Sequence, residues 1–124
     1  TLLYIEDNPS NVELIAEILA QDPQCRCQLI SAGNAEDGLA LARRHKPELV
    51  IMDINLPGIS GIEAVARMKA DPDLCAIPVI ALSADVMPDT IRNGMKAGFL
   101  RYLRKPLDIG EFRKLLNQLG QTRD

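Results

Sequence analysis

The sequence predicts an α/β fold, a doubly wound sheet of five parallel strands with helices on both faces. Three observations predict it. Five short apolar runs alternate strictly with helix-length amphipathic segments. Each run is four or five residues long and largely apolar, as strands covered on both sides require. Strict alternation of strand and helix calls for parallel pairing through right-handed crossovers.

The first run, Leu2–Ile5, leads into Asn8-Pro9, an N-cap followed by proline at the first helical position. Val12, Ile15, Ile18 and Leu19 then supply the apolar stripe of a helix. The second run, Cys27–Ser31, is expected at an edge of the sheet, and a less regular helix follows over Asn34–His45. After the third run, Leu49–Met52, the chain breaks at Asn55-Leu56-Pro57-Gly58, and Ser60-x-x-Glu63 forms a capping box for the next helix. The fourth run, Pro78–Leu82, precedes the weakest helix, Val86–Lys96, where Gly94 costs about 1 kcal/mol relative to alanine. The fifth run, Phe99–Leu103, is followed by Asp108-x-x-Glu111 and the stripe Phe112, Leu115, Leu116 and Leu119, with Gly120 as a C-cap.

With 124 residues the chain has the length of one domain, spanning 1–124. A 47% apolar and 25% charged composition is that of an ordinary globular protein. The net charge of −3 provides no overall basic field for nucleic acid or an acidic membrane. No apolar stretch approaches the roughly 20 residues of a membrane span. Cys25, Cys27 and Cys75 lack a disulfide-framework pattern, and no Cys/His cluster completes a zinc site, so reduced thiols in a cytoplasmic protein are expected. The start at Thr1, without Met, suggests a segment cut from a longer protein, or a chain trimmed at its start.

The segment "ELVIMDINLPGISG" sets one carboxylate, Asp53, against a buried run. An ionised group there would cost several kcal/mol unless paired, so Asp53 belongs at a strand end that opens to a site. Doubly wound sheets bind ligands beyond the carboxyl ends of their strands. Four of the five runs end in charged or reactive groups: Glu6-Asp7, Asp53, Ser83 and Arg104-Lys105. Two carboxylates ~4 Å apart repel by about 4 kcal/mol at an effective dielectric of 20. Lys105 sets one positive charge against the three negative charges of Glu6, Asp7 and Asp53, and a divalent cation would bring the sum to zero. An all-oxygen ligand set favours Mg²⁺ over zinc. Its remaining waters can yield to phosphate oxygens, which Lys105 and Ser83 can also bind. Asp53 is then the candidate nucleophile for phosphoryl transfer.

Four motifs, "YIEDN" (Tyr4–Asn8), "MDINLPGISG" (Met52–Gly61), "IALSA" (Ile80–Ala84) and "YLRKP" (Tyr102–Pro106), resemble those of the receiver domains of bacterial two-component response regulators. The resemblance covers essentially the whole chain. It implies the flavodoxin-like strand order 2-1-3-4-5 and a phosphoacceptor module of a phosphorelay, with Asp53 as acceptor. By resemblance, Asp7 and Asp53 ligate Mg²⁺ directly, Glu6 acts through water, and the Asn55 backbone carbonyl completes the set, with Mn²⁺ able to substitute. The switch hydroxyl falls on Ser83, the lysine on Lys105 and the switch aromatic on Tyr102, with the Lys105-Pro106 bond cis. Tyr102 also reads as plain core, and Ser83 as a helix start. Asn55 and Asp85 occupy the positions that govern access of hydrolytic water, and both are polar, so fairly rapid self-dephosphorylation is expected. Glu6 for the commoner Asp, Ser83 for Thr and the large Phe99 are mild departures.

The implied partner is a sensor histidine kinase or a histidine phosphotransfer domain, with no direct nucleic-acid or membrane contact. His45, in a basic helix end with Arg43, Arg44 and Lys46, reads as solvated and not as a phosphodonor. For Arg92, Lys96, Arg101 and Arg104, a partner surface and a solvated face stand equally. The "YIEDN" opening and "RYLRKPLDIGEF" resemble the C-terminal receivers of hybrid sensor histidine kinases; the alternative is a stand-alone regulator. A distant alternative is an aspartyl-nucleophile phosphohydrolase, disfavoured by Asn55 where such enzymes carry a second Asp.

Overall fold

The computed structural model describes residues 1–21, 28–54, 56, 58–84, 87–104 and 110–115. In chain order the elements are β1 (Leu2–Ile5), α1 (Pro9–Gln21), β2 (Leu29–Ala32), α2 (Ala35–His45), β3 (Leu49–Asp53), α3 (Gly61–Ala70), β4 (Val79–Ser83), α4 (Pro88–Ala97) and β5 (Arg101–Arg104). Helical residues 110–115 follow as α5. The sheet order is β2-β1-β3-β4-β5, and each neighbouring pair is parallel. The order expected from the resemblance is the one observed.

Strand alternation divides the core in two. Leu3, Ile5, Val50, Met52, Val79 and Ala81 face the helices α2 and α3, packing on Leu39, Ala42, Val65 and Met68. Leu2, Tyr4, Ile51, Ile80 and Leu82 face the other way, against Ile15, Ile18 and Leu19 of α1 and Phe112 and Leu115 of α5. Burial on both sides explains why the strands read as continuous apolar runs.

Several boundaries differ from expectation, each for a local reason. Asn34 is the cap of α2 and not its first turn: its backbone is extended and its Oδ1 accepts from the Asp37 amide at 2.8 Å. Strand β2 begins at Leu29 and ends at Ala32, while Cys27 lies outside the described residues. Strand β4 starts after Pro78, which has no N–H to give the ladder, although its carbonyl accepts from Val50 at 3.0 Å. Strand β5 starts at Arg101, because Phe99 turns inward and is buried under α4. The Ser60 cap is as expected, with Oγ accepting from the Glu63 amide at 3.2 Å. Helix α4 runs over Pro88–Ala97, with residue 86 of its expected start outside the described residues, as are Asp108, Leu116, Leu119 and Gly120 of the last helix.

Gly94 has a use that helix propensity hides. A Cβ there would stand 3.3 Å from Phe99 Cδ2 and 3.3 Å from Tyr102 Cε2, so its absence lets both rings lie against α4. The helix gives up about 1 kcal/mol of propensity for this close approach.

Helices α2 and α3 are tied at their carboxyl ends. Asp71, the C-cap of α3, accepts from the Asp73 amide at 2.9 Å and from Arg43 of α2 at 2.9 and 3.1 Å. These bonds, the Asp73 amide foremost, hold its carboxyl below the usual carboxylate range. A depressed folded pKa contributes stability above the ordinary value near 3.8, which is lost as pH falls through the folded value. Asp71→Asn is therefore expected to be less stable than wild type at neutral pH, with the gap closing as pH falls through the lowered folded value. Denaturant unfolding at a series of pH values checks this.

Candidate functional site: an acidic cluster at the strand ends

Parallel strands deliver their carboxyl ends to one edge, and β1 and β3 are neighbours, so their terminal residues meet. The Glu6 amide donates to the Ala32 carbonyl at 2.9 Å, extending the ladder one residue past β1. Its side chain is buried, and its Oε1 accepts from Asn11 Nδ2 in the first turn of α1 at 2.7 Å. Asp7 follows in the open and is exposed. Asn8 then starts α1: its Oδ1 accepts from the Ser10 amide at 3.0 Å, and its carbonyl from Asn11 at 3.1 Å. The positive end of the α1 dipole thus lies beside the acidic pair.

Asp53 ends β3 opposite Leu82 and is 3% exposed. The chain then turns sharply into α3. The Ile54 amide donates to Leu82 at 3.2 Å, and the Gly61 amide returns to the Ile54 carbonyl at 3.0 Å. A Cβ on Gly61 would meet the Asp53 carbonyl oxygen at 2.8 Å and Ile54 Cα at 2.8 Å, both backbone atoms with little freedom to yield. Only glycine lets the start of α3 close this tightly behind Asp53.

Glu6, Asp7 and Asp53 each offer a carboxylate oxygen, all within 4.8 Å of one another. At that separation the buried charges of Glu6 and Asp53 would repel by about 3 kcal/mol at an effective dielectric of 20, and exposed Asp7 adds less because water screens it. Their field reaches Tyr4, two residues down β1 and fully buried. Burial, then the charges of Glu6 and Asp53, push its phenol above the ordinary tyrosine range. A cleft of about 330 Å³ opens beside Glu6 and Asp7, walled by Pro9 and Val12 of α1 and by Ser31 and Gly33 after β2. The three donors are hard oxygens, the ligand type that suits Mg²⁺.

Ser83 ends β4 and is 1% exposed. By alternation it shares the α2–α4 face with Val79 and Ala81. Tyr102 pairs with Ala81 on that same face, half-buried against the core and against Gly94. The sites predicted at Glu6, Asp7, Asp53 and Ser83 therefore fall at one end of the sheet, with Tyr102 inside β5 opposite Ala81, two residues short of that end. Lys105, Asn55 and Asp85 lie outside the described residues, as does the Lys105-Pro106 bond.

Sequence reading missed Asn11 and the packing roles of Gly61 and Gly94. Asn11 stands one turn into α1, on the side that meets Glu6, a position legible only once the angle between β1 and α1 is known. The two glycines matter for an atom they lack, and such a role leaves no pattern in composition.

Comparison with known proteins agrees with this geometry. The model of the response regulator receiver domain matches residues 2–117. PilH of Pseudomonas aeruginosa is 33% identical over 116 residues, covering 94% of this chain and 93% of that protein. The polar-differentiation response regulator DivK of Brucella anthropi is 33% identical over 112 residues, 90% of this chain and 89% of that protein. The receiver domain of the sensor histidine kinase PA1611 from Pseudomonas aeruginosa, solved with a magnesium ion in its active-site cleft, superposes with a TM-score of 0.84 at 27% identity over 96% of each chain. An acidic cluster at the ends of β1 and β3, in a sheet of order 2-1-3-4-5, matched in sequence from end to end of the fold, settles the family: this chain belongs to the response regulator receiver domains of two-component signalling.

Proposed function

We propose that residues 1–124 form one receiver domain that accepts a phosphoryl group on Asp53 from a phosphohistidine of a sensor histidine kinase or a histidine phosphotransfer domain. One observation carries this reading: Glu6, Asp7 and Asp53 converge within 4.8 Å, with Glu6 and Asp53 buried. Their side chains, with the Asn55 backbone carbonyl, would hold Mg²⁺, and Mn²⁺ would serve in its place. A Mn²⁺-bound form of the response regulator Rcp1, 25% identical to this chain, supports that substitution. Bound there, Mg²⁺ supplies the positive charge that screens the carboxylates from one another and from the incoming phosphoryl oxygens.

The chain's own groups do the rest. A carboxylate oxygen of Asp53 attacks phosphorus as the P–N bond to the partner's imidazole breaks, leaving an acyl phosphate and a neutral histidine. Close packing of Gly61 on the Asp53 carbonyl and Ile54 Cα fixes the backbone from which that carboxylate projects. Lys105 neutralises a phosphoryl oxygen and the Ser83 hydroxyl donates to another. Movement of Ser83 makes room on the face where Tyr102 packs, and inward rotation of that ring shifts the α4–β5–α5 surface between two states. Met87, Met95 and Leu100, 65%, 45% and 49% exposed, give this side apolar contacts to offer a partner. The domain makes no direct nucleic-acid or membrane contact in this reading, and it works in the cytoplasm; none of its described helices is long and apolar enough to cross a membrane.

For the parent protein we keep the hybrid sensor histidine kinase, supported by "YIEDN", "RYLRKPLDIGEF" and the likeness to the PA1611 receiver. The alternative, a stand-alone regulator, draws on PilH and DivK, which match over 93% and 89% of their own lengths.

Incubation with acetyl phosphate and Mg²⁺ is expected to add the mass of one phosphoryl group, and Asp53→Asn to abolish the gain. A gain that survives this substitution rejects Asp53 as acceptor. With Asn55 and Asp85 both able to orient water, the phosphorylated form is expected to decay quickly. Asn55→Leu combined with Asp85→Leu should slow that decay at least about tenfold, a conservative bound beside the roughly 100-fold at the low end of general-base catalysis. An unchanged decay rate removes both residues from the account.

A further inference from the structure

The outer face of α2 carries a feature with no part in phosphoryl transfer. Asp37, Ala40, Leu41 and Arg44 follow one another at helical spacing and line, with Ser31 and Gly33, a groove of about 450 Å³ beside β2. Asp37, Ala40 and Arg44 are exposed and Leu41 is half-buried. The stripe is self-complementary. Asp37 lies as far before the midpoint between Ala40 and Leu41 as Arg44 lies after it. Turned end over end, the same stripe sets Arg44 opposite Asp37, Asp37 opposite Arg44, and Ala40 and Leu41 against each other.

Two further observations single out this face. Arg43, one position away, is spent on Asp71, while Arg44 makes no ion pair among the described residues. The sheet edge beneath the groove is also unguarded. At the other edge β5 carries Arg101 and Arg104, charges of the kind that discourage strand addition, whereas β2 reads Leu-Ile-Ser-Ala without a charge.

We propose that this groove is an isologous interface with a second copy of the chain, α2 packing antiparallel on its two-fold mate. The occupant follows from charge complementarity: a two-fold axis at the stripe's midpoint creates two Asp37–Arg44 pairs at once, and it sets the helix dipoles antiparallel. The contact leaves the α4–β5 side free. It does not depend on phosphorylation of Asp53. Four side chains and a strand end are a small patch beside the roughly 1,200 Å² of a standard interface, so the dimer is weak and forms only at high protein concentration.

Sedimentation equilibrium of the chain up to about 1 mM tests this. Wild type is expected to self-associate, less so in high salt. Arg44→Glu or Asp37→Arg alone turns both pairs repulsive and should raise the dissociation constant at least about tenfold. The double variant Asp37→Arg, Arg44→Glu exchanges the charges and should return it to within about threefold of wild type. Circular dichroism confirms that α2 persists in each variant. Should Asp37→Arg disturb the first turn, the exposed Ala40→Glu places like charges beside the axis and must also abolish association. A wild type that stays monomeric, association indifferent to Arg44→Glu, or a charge-exchanged variant no better than the single ones would each overturn the proposal.

Discussion

Three carboxylates held within 4.8 Å of each other oppose folding, and the rest of the molecule is arranged around that opposition. Glu6 and Asp53 are buried, so water does little to separate their charges. The fold tolerates them through local devices on β1: an Asn11 hydrogen bond, the amino end of α1 and an exposed position for Asp7. Such a cluster of hard oxygens suits a divalent cation. Mutual repulsion, which destabilises the protein without a cation, becomes binding energy when a hard divalent ion arrives.

The sheet supplies the geometry. Because β1 and β3 are adjacent and parallel, their last residues can face one another only at the carboxyl edge, and β4 brings Ser83 to the same end. Two apolar layers grip the strands from both faces, so the ends have little freedom to splay apart under the repulsion. Close backbone packing at Gly61 holds the turn after Asp53, and Gly94 keeps the Tyr102 ring close to α4. In the sheet order, Ser83 of β4 therefore stands between the acid cluster on β1 and β3 and Tyr102 on β5.

Much of this was legible in the chain because it rests on periodicity and on strand ends. Leu2–Ile5 was read to the residue, and the third, fourth and fifth strands to within one or two, since continuous apolar runs bracketed by polar groups mark both the strand and where it opens to solvent. The convergence of Glu6, Asp7 and Asp53 followed from the same logic. What escaped was contact across elements. Phe99 looked like strand because it is apolar and precedes alternating residues, yet its ring goes under α4 through a gap that Gly94 leaves. Asn34 looked helical because its polar side chain carries no period; only its extended backbone reveals the cap.

A divalent cation should relieve the repulsion among Glu6, Asp7 and Asp53 and so stabilise the fold. Thermal unfolding of wild type and Asp7→Asn, each with chelator and with saturating Mg²⁺, tests it most directly. Asp7 is exposed, so its neutralisation changes charge without leaving a cavity. In chelator the variant should melt a few degrees above wild type, since relief of about 1 kcal/mol moves Tm by roughly 2–8 °C for a chain of this size. In Mg²⁺ wild type should gain stability and the variant little. A variant less stable than wild type in chelator, together with a wild-type Tm that Mg²⁺ leaves unmoved, would mean that the three carboxylates hold no cation.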